Sequence, residues 1–94
     1  GGLPVGLFED AEFEDFTVTL CKGERLLILS DGVVECPDDA GNLLGEEGLE
    51  LLLKDIEAQP VETFLETLHW RLDAMSGGGL PDDVSGILFE YRGP

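Results

Sequence analysis

Residues 26–35 read Leu26-Leu27-Ile28-Leu29-Ser30-Asp31-Gly32-Val33-Val34-Glu35, and the other segments can be placed around them. Four consecutive apolar residues are far short of the roughly 20 that span a bilayer. An apolar run of this length without alternation predicts a strand covered on both faces. Asp-Gly is a turn pair, because Gly turns without steric penalty and Asp can bond its own backbone two residues on. The strand therefore ends by carrying the carboxylate of Asp31 to the rim of a sheet, where loops on a rigid scaffold commonly hold ligands.

Upstream, residues 21–24 (Cys-Lys-Gly-Glu) supply a turn, and residues 13–20 alternate, with Phe16, Val18 and Leu20 on one side and Asp15, Thr17 and Thr19 on the other. That pattern predicts a half-buried strand, and the two strands read as a β-hairpin. Residues 1–6, with three glycines and a proline, read as a loop. Downstream, residues 36–42 hold Pro, Asp, Asp, Gly and Asn and form a second loop. Leu49, Leu52, Leu53 and Ile56 then recur at helical spacing, with Glu46 and Glu47 in the first turn, where the helix dipole favours negative charge. Pro60 opens a second helix with a stripe of Val61, Phe64, Leu65, Leu68, Leu72 and Met75, and Gly77-Gly78-Gly79 stop it. Residues 84–91 are strand-like, and Gly86 within them marks a bulge or a close approach by another backbone. The fold class is α+β: a β-hairpin plus a late antiparallel strand, with two helices packed on one face.

Ninety-four residues with no internal repeat or shift of composition make one domain. A hydrophobic fraction of 43% is enough for a core. The formal net charge is −16, from 21 acidic and 5 basic residues. Such a surface repels nucleic acid and anionic membranes over about a Debye length and favours cations or basic protein surfaces. No long apolar stretch or secretory signal is present, so no membrane insertion is expected, and two free thiols, Cys21 and Cys36, in a reducing cytoplasmic setting are the default.

Two acidic turns carry the candidate chemistry. Asp31 follows a strand, and Asp82 and Asp83 precede one. If those strands are antiparallel neighbours, both turns share one rim of the sheet. Carboxylates without Cys or His nearby form an all-oxygen site suited to Mg²⁺ or Mn²⁺. Both sequences are also ordinary turns, and spacing alone leaves the two readings open. Elsewhere, His69 reads as solvent-facing or packing, Trp70 as packing or interface, and Cys36 as a thiol with no activating base. The three glycines lack the Lys-Ser/Thr of a phosphate-binding loop and read as a linker to the second acidic turn.

Four strings in order, residues 2–7 (Gly-Leu-Pro-Val-Gly-Leu), residues 26–35, residues 41–47 (Gly-Asn-Leu-Leu-Gly-Glu-Glu) and residues 82–85 (Asp-Asp-Val-Ser), together resemble the C-terminal half of the metal-dependent PPM-type (protein phosphatase 2C-like) serine/threonine phosphatases. The branch they resemble is that of the bacterial sporulation and sigma-factor regulators. The resemblance implies an α-β-β-α sandwich of which residues 1–94 are the C-terminal portion. It also implies two Mn²⁺ or Mg²⁺ ions in the complete domain, with Asp31 and Asp82 as ligands, Asp83 as a further candidate, and Gly32 allowing backbone close to the site. The implied substrate is a phosphorylated regulatory protein, such as an anti-sigma-factor antagonist. The family's upstream Asp-x-x-Gly-His-Gly motif, whose Asp bridges both metals, is not in these residues. The chain alone is therefore expected to bind metal weakly and to be inactive. The alternatives are a catalytically inactive phosphatase-like module that regulates a partner by binding, and an acidic interaction domain without metal. Exposed strand edges or upstream domains leave a homodimer open.

Overall fold

The computed structural model describes residues 3–8, 19–78 and 84–93. Three strands, β1 (Val5–Phe8), β2 (Arg25–Ser30) and β3 (Gly86–Glu90), and two helices, α1 (Gly45–Ile56) and α2 (Val61–Ser76), follow one another with a five-residue 3-10 turn, Asp31–Glu35, directly after β2. The sheet runs in the order β1-β2-β3. β2 is its middle strand, parallel to β1 and antiparallel to β3. This is the expected α+β arrangement, with a late antiparallel strand and two helices on one face.

The uninterrupted apolar run of β2 follows from that central place. Leu27 and Leu29, 0% and 2% exposed, point into the helical layer. Ile28, between them in the sequence, points to the opposite face and is also buried. On the helical side the core is Leu49, Leu52, Leu53 and Ile56 from α1 and Phe64, Leu68 and Leu72 from α2, the stripes that the 3.6-residue period predicts. Each such side chain contributes about 1.5–3 kcal/mol when fully buried. α2 starts at Val61 with Pro60 as its cap, one position from the expected start. Gly77, at φ 64°, ends it in the left-handed conformation that Gly adopts without strain, and the Gly78 N–H returns to the Asp73 carbonyl at 3.0 Å.

Arg25 pins the layers together. Its Nε donates to Glu90 Oε1 at 2.8 Å across the β2–β3 pair, and its guanidinium also donates to the Gln59 carbonyl beyond α1 at 2.5 Å. One side chain thus ties the sheet register to the α1–α2 connection.

Two expectations need restating. Residues 1–6 were expected to be loop, yet Val5 and Gly6 begin β1, with Val5 beside Leu27 and Gly6 beside Ile28. Short, glycine-containing and preceded by Pro4, this segment carries no strand signal of its own. Pairing to the buried β2 makes it a strand, and Pro4, lacking an N–H, contributes only a carbonyl, which accepts from Leu27 N–H at 3.0 Å. The expected hairpin partner at residues 13–20 lies mostly outside the described residues, and Thr19 and Leu20 are not in a strand. The turn at residues 21–24 is present, closed by Glu24 N–H to the Cys21 carbonyl at 2.9 Å. It docks on the residue that follows β3, with Gly23 N–H donating to the Tyr91 carbonyl at 2.7 Å. Both edges of β2 are occupied, by β1 and by β3.

Candidate functional site

Asp31 is placed by what flanks it. The buried run of β2 delivers the chain to Ser30, and the 3-10 turn that follows is anchored by Val33 and Cys36, both 0% exposed. With Val33 turned inward, Asp31 is left exposed at the end of the sheet. Gly32 takes the same 3-10 backbone and its carbonyl accepts from the Cys36 thiol at 3.8 Å. Cys36 is thus part of the anchor and has no access to a substrate. Beyond it, the Leu44 N–H donates to the Cys36 carbonyl at 2.7 Å. The loop between closes on Asp38, whose Oδ1 accepts from the Ala40 and Asn42 N–H groups at 2.9 Å each. Asp31 therefore sits on a backbone held from below by core packing and from behind by a bonded loop.

Residues 84 and 85, which follow the other acidic stretch in the sequence, reach the same rim. β3 is antiparallel to β2 with Gly86 opposite Leu29, so the start of β3 and the end of β2 are neighbours. Two serines close the junction: the Ser30 N–H donates to the Ser85 carbonyl, and the Ser85 N–H donates to Ser30 Oγ, both at 2.9 Å. Both serines lie inside the acidic motifs, whose spacing alone does not assign them this bonding. Ser30 directly precedes Asp31, and Ser85 stands two positions after Asp83. Asp82 and Asp83 themselves lie outside the described residues.

Gly86 explains the closeness of these strands. A Cβ built there would stand 2.6 Å from Leu29 Cδ2 and 3.4 Å from the Ile28 carbonyl oxygen. The glycine anticipated as a close approach is one, with no bulge in the β2–β3 register. Next to it a dent of about 120 Å³ opens between α2 and the start of β3, with His69 and Ser85 among its lining residues. His69 is exposed, and Trp70, 67% exposed, faces away from the core rather than packing in it.

As a cation site, the described part is one exposed carboxylate, Asp31. No group of three or more potential ligands occurs among the described residues. Oxygen-only donors at an open rim fit a hard ion that keeps most of its water, provided further carboxylates reach it.

No helix among the described residues is long and apolar enough to cross a membrane. No solved structure gives a significant match to the chain. It is similar to the phosphoserine phosphatase RsbU of Bacillus subtilis (strain 168), at 25% identity over 91 residues, which make up 97% of this chain and 27% of that protein. The chain thus spans about a quarter of the length of the curated relative it matches. The model of the stage II sporulation protein E family matches residues 1–92, nearly the whole chain, and agrees with the resemblance carried by the acidic motifs: the chain belongs to the SpoIIE family, on the sporulation and sigma-factor-regulator side of the PPM-type phosphatases.

Proposed function

We propose that residues 1–94 are the C-terminal portion of a PPM-type phosphatase domain, and that Asp31, Asp82 and Asp83 hold Mn²⁺ or Mg²⁺ at the shared rim of β2 and β3. The reaction served is hydrolysis of phosphoserine or phosphothreonine on a regulatory protein. Family membership and the RsbU similarity support the phosphatase reading. The observation that carries the site is the reciprocal Ser30–Ser85 bonding, which joins the residue before Asp31 to the third residue after Asp82.

A bound divalent ion supplies charge neutralisation at the phosphoryl oxygens and lowers the pKa of coordinated water. The chain's own part is positional. Val33 and Cys36 hold the Asp31 backbone against the core, so a cation need order only the side chain and not the loop that carries it. The Ser30–Ser85 pair keeps the ends of the two strands together against the mutual repulsion of the acids they carry.

In the complete phosphatase, Asp31→Asn should abolish Mn²⁺-dependent release of phosphate from a phosphoserine protein, while circular dichroism and the melting temperature stay at wild-type values. Calorimetric titration with Mn²⁺ should show weaker binding in the same variant. A variant that keeps its activity removes Asp31 from the mechanism. A wild-type protein that binds a phosphorylated partner without ever releasing phosphate makes the inactive, partner-binding reading the correct one.

A further inference from the structure

On the side of the sheet away from β3, a trough of about 390 Å³ runs between β1 and α1. Leu3, Val5 and Leu7 line it from the strand, and Leu49 and Leu53 from the helix. Its helical rim carries three carboxylates, Glu46, Glu50 and Glu57, against a single ammonium, Lys54. β1 is an edge strand, bonded only to β2 among the described residues. The Leu27 N–H to Pro4 carbonyl bond sets the phase of that pairing. In a parallel ladder alternate residues bond the same neighbour, so Pro4 and Gly6 serve β2 while Val5 and Leu7 present N–H and C=O outward.

We propose that this trough docks an extended segment of a partner protein in which an apolar residue stands between two basic ones at alternate positions. An added strand would bond the outward groups of Val5 and Leu7, and every second side chain would face α1. The middle one would meet the apolar lining. Those two positions away, if Lys or Arg, would lay their aliphatic stems along it and place their charges at the glutamates of the rim. The lengths agree: five extended residues cover about 13 Å, and the rise along α1 from Glu46 to its cap Glu57 is about 16 Å. Charge selects this occupant over a second copy of the chain, which would bring a net −16 and the same three acids against themselves. The proposal needs no metal and stands apart from the phosphatase reading.

The test uses the 94-residue chain and a fluorescein-labelled peptide, Thr-Arg-Thr-Val-Thr-Arg-Thr with blocked ends, followed by anisotropy and by amide exchange. Saturable binding is expected, with slowed exchange at Val5 and Leu7. The double change Glu46→Lys and Glu50→Lys should weaken it at least tenfold, and added salt should weaken it in the wild type. Val5→Pro, which removes an outward N–H at an exposed position, should weaken it at least fivefold. If circular dichroism shows that Val5→Pro has unfolded, the charge-reversed protein decides alone. Equal binding by the charge-reversed protein, no change in exchange at Val5 and Leu7, or equally tight binding of a peptide with Glu in place of Arg overturns the proposal. So does a dimer in sedimentation that protects Val5 and Leu7, or their protection by another segment in a longer protein carrying this chain.

Discussion

The two faces of the sheet both carry apolar side chains and differ in what covers them. On the helical face Leu27 and Leu29 are almost completely buried, with Phe64 at 0% exposure above them. On the reverse face Ile87 and Phe89 of β3 are 46% and 47% exposed, flanking the buried Ile28 of the middle strand. In β3 the reverse face carries Ile87 and Phe89 whereas the helical face carries Gly86, Leu88 and Glu90, so apolar composition does not predict which side the helices cover. One side is closed by amphipathic helices, whereas the other keeps an apolar surface of the kind against which a second sheet packs at about 10 Å. An α-β-β-α sandwich requires such a face, and its presence agrees with the α+β class read from the chain.

Removing one phenyl ring from each face tests this contrast most strongly. Phe64→Ala should destabilise by about 3–5 kcal/mol, because it empties a site enclosed on all sides. Phe89→Ala should change stability by no more than about 1 kcal/mol, the span of strand propensities. Urea unfolding followed by circular dichroism measures both, and similar losses would mean that the reverse face is covered as well. Gly86→Ala sharpens the picture where the helical face meets the rim. Its Cβ would press on Leu29 Cδ2, and Leu29, at 2% exposure, has little room to yield. A loss of about 1–3 kcal/mol is expected, with broadening of the Ser85 amide resonance as the local sign that the β2–β3 junction has shifted.

The smallest effect is electrostatic. The Arg25 guanidinium, and secondarily that of Arg92, hold the Glu90 carboxyl below the usual glutamate range. The folded state thus favours the ionised form. The resulting stabilisation is complete above the ordinary glutamate value of about 4.3 and is lost as pH falls through the lower folded value. Arg92 is 66% exposed, so solvent screens its share and Arg25 carries more of the effect. The urea midpoint should fall between pH 5 and pH 2.5, and Glu90→Gln should flatten that fall. An unchanged acid limb in Glu90→Gln would remove the Arg25–Glu90 pair from the account.

Local patterns made much of the fold legible before any coordinates. The spacing of Leu49, Leu52, Leu53 and Ile56 specifies α1 because 3.6-residue periodicity needs no distant partner to be read. The run from Leu26 to Leu29 marks a central strand: with a neighbour on each edge, Leu27, Ile28 and Leu29 are all buried although they point to opposite faces. Asp31 at a strand end follows from the same run. Tertiary structure alone decided that Val5–Phe8 is a strand, since Pro4 and Gly6 oppose one locally and only hydrogen bonds to β2 outweigh them. It also decided that Ser30 and Ser85 clasp each other: two serines distant in the chain carry no mark of pairing until antiparallel strands set their backbones within bonding distance.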